Sequence, residues 1–72
     1  MEYRWEDGFT ITVRIENGSA VISANREGLI SLSRHLKALA EEAPGSHIHL
    51  DSWNGLEDDS AELVIEWKED NI

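Results

Sequence analysis

The chain has 72 residues, no cysteine and a formal net charge of −9, from 15 acidic and six basic side chains. This length suits one small domain, residues 1–72, and the absence of cysteine excludes disulfides, thiolate metal ligands and a thiol nucleophile. The negative charge argues against nucleic acid or an anionic membrane as a partner, and favours a basic protein.

The negative charge is concentrated in the second part of the chain. Residues 45–72 contain eight acidic side chains and one basic one, Lys68. The first residues, MEYRWEDGF, lack the basic and apolar segments of a signal peptide, and no apolar run reaches the length of a membrane span. We therefore expect a cytoplasmic protein.

The first predicted element is a β-hairpin over residues 9–24. In FTITVRI, apolar and polar residues alternate from Phe9 to Ile15, as in a strand with one buried face. Asn17-Gly18 then accepts positive φ at low cost, and SAVISA resumes a strand pattern.

One amphipathic helix follows the hairpin. Asn25 is a suitable N-cap, and Glu27 places an acidic side chain in the first turn. We expect Pro44-Gly45 to end the helix. His35 lies at the edge of the apolar stripe, where we expect a boundary residue rather than a catalytic base. The predicted core-facing stripe, with residues three and four apart, is Leu29, Leu32, Leu36, Leu39 and Ala43.

Two further strands complete the predicted fold. The third spans His47–Asp51 with Ile48 and Leu50 inward, and the fourth spans Ala61–Lys68. The order β-β-α-β-β predicts an α+β domain, a four-stranded and mainly antiparallel sheet with one helix packed on one face. The strand order that we prefer is 2-1-3-4.

The stretch GSHIHLD raises the possibility of a metal site, because His47, His49 and Asp51 alternate along a strand. Imidazole and carboxylate are ligands of zinc and iron, and Glu62 or Glu66 could join them across the strands. However, the spacing fixes no third ligand, and Ile48 and Leu50 already explain the alternation. We therefore expect no bound metal or cofactor, and keep a small metal-binding domain using His47 and His49 as an alternative.

The segment SWNGLEDDS, residues 52–60, carries the most informative functional signal. Trp53 lies among acidic side chains, so it either packs back on the sheet or serves as the aromatic anchor of an interface. We expect Leu56 to be buried beneath the loop and to fix it. Near the N-terminus, Tyr3 and Trp5 are expected to belong to the core or to cover a sheet edge.

Three connected motifs resemble a known family. They are N-R-E-G-L-x-x-L-x-x-H-L-x-x-L-A at residues 25–40, P-G-S-H-I-H-L-D at 44–51 and S-A-E-L-V-I-E at 60–66. Together they resemble the immunity protein 32 family, over roughly residues 20–67. Its members are small α+β proteins that are expected to protect bacteria against their own polymorphic toxins, and they are encoded beside the toxin gene.

The resemblance implies a protein that is not an enzyme and that binds and neutralises a cognate toxin. An acidic inhibitor would complement a toxin with a basic surface, such as a nuclease, so we expect neither nucleic acid nor membrane as partner. The alternative of an acidic regulatory interaction module remains open, and we expect a monomer or weak homodimer. The predicted partner-binding residues are His47, His49, Asp51, Trp53, Glu57, Asp58, Asp59 and Glu62.

Overall fold

The chain is an α+β domain in which the predicted element order β-β-α-β-β is confirmed. The computed structural model describes residues 4–69, so the expectation for Tyr3 lies outside the described residues. Both strand pairs are antiparallel. The elements are β1 (Ile11–Glu16), β2 (Ser19–Ala24), α1 (Arg26–Ala40), β3 (His47–Leu50) and β4 (Leu63–Glu66).

The first hairpin forms as its sequence predicts. Asn17 and Gly18 have φ values of 50° and 82°, and Glu16 pairs with Ser19 across them. A two-residue turn with positive φ at both positions matches the twist of the flanking strands, which explains why Asn-Gly is found there. β1 begins at Ile11 instead of Phe9, and β2 covers the predicted SAVISA segment.

The N-terminus of α1 is fixed by the predicted cap. The side chain of Asn25 accepts a hydrogen bond from the Gly28 N–H at 2.7 Å and another from the Thr10 N–H at 3.0 Å. Its amide donates to the Gly8 carbonyl oxygen at 2.8 Å, so one side chain joins the helix start to the hairpin.

The helix ends earlier than predicted. Its last residue is Ala40, and Glu41 forms the C-cap, so Pro44 does not end it. The Glu41 N–H donates to the carbonyl oxygens of Lys37 and Ala38. These bonds close the last helical turn three residues before Pro44. Within residues 4–69, no helix has the length and apolar character needed to cross a membrane.

The buried face of α1 differs from the predicted leucine stripe. Leu29 and Leu36 are 55% and 44% exposed, whereas His35, expected at the boundary, is only 3% exposed. The reason is the close approach of Gly28 to the backbone that leads into β1, where an added Cβ would lie 2.3 Å from the Thr10 carbonyl oxygen. Only a residue without a side chain fits there, so the inward side of the helix is the one that contains Gly28. The buried residues of α1 are Gly28, Ser31, Leu32, His35, Ala38 and Leu39.

The structure has two two-stranded sheets, β1-β2 and β3-β4, where we predicted one sheet with the order 2-1-3-4. The second edge of β1 bonds to the segment before β4 instead of to β3. The Glu57 N–H donates to the Ile11 carbonyl oxygen at 2.9 Å, and the Ala61 N–H donates to the Val13 carbonyl oxygen at 2.7 Å. Ser60 Oγ accepts from the Val13 N–H at 2.7 Å.

A single core joins the two sheets and the helix. Leu56 is 5% exposed, which confirms that it is buried beneath its loop. The two strand pairs therefore share one hydrophobic cluster although they share no strand. The buried members are Ile11, Val13, Leu32, Leu50 and Leu56, and the half-buried residues packed against them are Trp5, Phe9, Ala24, Ala61, Leu63 and Ile65.

Replacing Gly28 tests the close approach of α1 to β1. In an open helix, Gly→Ala stabilises by up to about 1 kcal/mol. Here the added methyl group would overlap the Thr10 carbonyl oxygen, so we expect Gly28→Ala to lower the free energy of unfolding by about 1–3 kcal/mol. Urea denaturation measures the difference. The control is Ser33→Ala in the exposed part of the same helix, which should change stability little; equal or greater stability of Gly28→Ala would contradict the packing.

Candidate functional site

The side chain of Trp53 is 96% exposed, the most exposed large hydrophobic residue in the described part of the chain. Of the two sequence-based alternatives, packing back on the sheet is therefore wrong. The side chain stands in solvent on what we call the Trp53 loop, residues 51–56. A large aromatic in this position has most of its surface free for contact with another molecule.

The backbone of the Trp53 loop is closed by its own hydrogen bonds. The Asp51 N–H donates to the Asn54 carbonyl oxygen at 3.2 Å, and the Asn54 N–H donates to the Asp51 carbonyl oxygen at 2.9 Å. Asp51 Oδ1 accepts from the Trp53 N–H at 2.9 Å, and Asn54 Nδ2 donates to the His49 carbonyl oxygen at 2.9 Å. These bonds fix the backbone on both sides of Trp53.

Trp5 supports the same loop from the body of the domain. Gly55 has a φ of 94°, and an added Cβ there would lie 2.3 Å from Trp5 Cη2. The Trp5 ring also stacks on Phe9, with centroids 4.5 Å apart, and packs against the buried His35 at an interplanar angle of 40°, with centroids 4.1 Å apart. Trp5 is thus part of the core, as predicted, and it holds the turn that presents Trp53.

The outer face of the β3-β4 pair adjoins this loop. We define it as the exposed side chains of His47, His49, Glu62, Val64 and Glu66. The register places His47 opposite Glu66 and His49 opposite Val64. Val64 is 58% exposed and gives the face an apolar centre. The alternation of LVIE predicts this outward direction.

Three of the predicted site residues lie together at the end of this face. His49 Nε2 is 3.6 Å from Glu62 Oε1. One ligand atom each of His49, Asp51 and Glu62 lies within 4.8 Å of the other two. His47 does not belong to this group. The fold therefore brings His49 close to Asp51 and Glu62, and not to His47.

The remaining predicted residues, Glu57, Asp58 and Asp59, form an exposed turn beside β1. The Ser60 N–H donates to the Glu57 carbonyl oxygen at 3.0 Å, and the Glu57 N–H is held by β1. Residues 51–62 thus present five acidic side chains and no basic one on a backbone that is bonded at both ends.

An apolar groove of about 330 Å³ lies elsewhere, between α1 and β4. None of the predicted site residues lines it, and it offers no titratable side chain for catalysis. It is lined by Leu36, Leu39, Ala40, Ile65 and Trp67.

Comparison with known proteins identifies a family. The sequence model of the family described as immunity protein 32 matches residues 19–68, more than two thirds of the chain. The chain belongs to the immunity protein 32 family. No curated protein and no solved structure matches it. The match includes α1, the outer face and the Trp53 loop, so the elements that carry the candidate site lie inside the family region, whereas Trp5 lies outside it.

The positions of the two tryptophans predict opposite effects on stability. Trp53→Ala should change the free energy of unfolding by less than about 0.5 kcal/mol, because an exposed side chain loses almost no contacts. Trp5→Ala should cost at least about 2 kcal/mol, because its ring packs on Phe9, His35 and Gly55. Urea unfolding of both variants, followed by circular dichroism, makes the comparison. A large loss of stability in Trp53→Ala would mean that the loop packs differently.

Proposed function

We propose that this chain binds and neutralises a cognate bacterial toxin in the cytoplasm, using the Trp53 loop and the outer face. Membership of the immunity protein 32 family supports an immunity role in general. The surface, the basic nature of the toxin and the mode of neutralisation are parts of the proposal. The observation that carries it is the exposure of Trp53 on a fixed loop.

A fixed and exposed tryptophan suits the centre of an interface. Residues that dominate binding energy are enriched in tryptophan and are surrounded by contacts that exclude water. In this proposal the loop backbone and the exposed Val64 of the adjoining outer face provide part of those contacts. Because hydrogen bonds and Trp5 already order the loop, binding does not have to order it, which leaves more of the contact energy for affinity.

The charge of residues 51–62 supports a basic partner. This segment has five carboxylates and no lysine or arginine, so it attracts a positively charged surface and accelerates association with such a partner. A toxin that acts on nucleic acid needs a positive cleft, so a nuclease is the class of toxin that fits best. The same charge disfavours nucleic acid and anionic membranes as ligands of this chain.

Covering the toxin would be enough to neutralise it. A standard interface buries about 800 Å² on each partner, roughly 15% of the 5179 Å² accessible surface of this domain. The Trp53 loop and the outer face together offer a continuous candidate for such an area. Occlusion of a substrate-binding surface needs no catalytic group on this chain, and we propose a role without enzymatic activity.

The first test uses the product of the gene adjacent to this one, which the family resemblance leads us to expect to be the cognate toxin. We expect Trp53→Ala to raise the Kd for the purified toxin by at least roughly 30-fold, equivalent to about 2 kcal/mol, and to abolish growth protection when the toxin is expressed in a bacterial host. Calorimetry and a growth assay measure the two effects. Leu29→Ala, which alters an exposed leucine on α1, is the matched control.

Two outcomes would contradict the proposal. Tight binding that is indifferent to Trp53→Ala but sensitive to Leu29→Ala would move the interface to the helix. A wild-type chain that folds but neither binds the toxin nor protects growth would favour the acidic regulatory module instead.

A second test separates local charge from net charge. Asp58→Asn with Asp59→Asn should slow association about three- to tenfold at low salt and flatten its dependence on salt, while dissociation changes little. The control, Glu41→Gln with Glu42→Gln, removes an equal charge from an exposed pair after the helix. Stopped-flow kinetics over a range of salt concentrations compares them. Equal effects of the two pairs would show that only net charge matters.

A further inference from the structure

We propose that His49, Asp51 and Glu62 form a binding site for one Zn²⁺ ion. The spacing along β3 fixes no third ligand, and the sequence leaves both Glu62 and Glu66 as cross-strand candidates. The fold supplies one, because His49, Asp51 and Glu62 each place a ligand atom within 4.8 Å of the other two. This site does not depend on the proposed toxin, and it uses His49 without His47.

The strand register explains why these residues meet. The β3-β4 ladder ends where Leu50 pairs with Leu63, and Asp51 and Glu62 are the next residues on the two segments. Their carboxylates lie close together beside His49, and like charges on neighbouring strands destabilise a sheet. Two carboxylates this close favour a bound cation, which would remove their repulsion.

The donor atoms favour zinc over hard cations. Zn²⁺ binds histidine nitrogen and carboxylate oxygen, and three protein ligands with one water molecule are a common arrangement. Ca²⁺ and Mg²⁺ prefer sites made of oxygen atoms only. The imidazole of His49, whose Nε2 already lies 3.6 Å from Glu62 Oε1, therefore gives the site its selectivity.

The surrounding hydrogen bonds hold the ligand-bearing residues in position. Asn54 pairs with both backbone groups of Asp51 and donates from its side chain to the His49 carbonyl oxygen. The Trp53 N–H donates to Asp51 Oδ1 and orients that carboxylate. Partners of this kind orient metal ligands. A bound ion would tie the Trp53 loop to the segment that enters β4.

The test is a Zn²⁺ titration of the purified chain without a histidine tag, at neutral pH, by calorimetry and by NMR of the histidine ring signals. We expect one saturable site per chain and a rise in Tm when zinc is added, because an ion that binds only the folded state stabilises it. The His49 ring signals should shift most.

Matched variants locate the site. His49→Gln and Glu62→Gln should each weaken zinc binding by at least about tenfold, the loss found when even an outer partner of a ligand is removed. His47→Gln changes an exposed histidine on the same strand and face, and should leave the affinity unchanged. Both histidines are exposed, so circular dichroism should show the fold retained.

Three results would overturn the proposal. One is the absence of saturable zinc binding. Another is an equal loss of zinc affinity in His47→Gln and His49→Gln, which would indicate that zinc binds exposed histidines separately and not at one site. The third is equally tight binding of Ca²⁺, which would show that acidic charge alone attracts the ion.

Discussion

The second edge of β1 determines how the rest of the domain is arranged. Backbone groups at a sheet edge need partners, and here the segment of residues 57–61 provides them through Glu57, Ser60 and Ala61. β3 cannot occupy the same edge, so within residues 4–69 it pairs with β4 alone, and the sheet divides in two. The same bonds hold the C-terminal end of the Trp53 loop region. Residues 57–61, which the sequence suggests are part of a long irregular connection, therefore stabilise the fold by bonding to the edge of β1.

The features that the sequence predicts well are those with local causes. Alternation and Asn17-Gly18 define the first hairpin, and Asn25 caps the helix through groups three residues away. Strand order is different, because the bonds at the edge of β1 are made by backbone atoms that every residue type has. The helix face also depends on a distant contact. Hydrophobicity selects Leu29 and Leu36, but the small size of Gly28 decides which side approaches β1.

The candidate site could be predicted in part for the same reason. Alternation along β3 correctly separates Ile48 and Leu50 from His47 and His49, since facing is a local property of a strand. The meeting of His49 with Glu62 requires the register between two strands, which no single segment contains. Which tryptophan packs on the core could not be predicted, because the contact of Trp5 with Gly55 joins distant parts of the chain.

The exposure of Trp53 is informative because the domain is small. A domain of this size buries only about 60% of the surface that its unfolded chain exposes, so each large apolar side chain matters for the core. The described core is built from a few aliphatic residues and the half-buried Trp5 and Phe9. Stability alone would favour burying a further tryptophan. Instead, the fold fixes the loop backbone and leaves this side chain 96% exposed among carboxylates. This combination is what the proposed toxin-binding role predicts, and stability alone does not account for it.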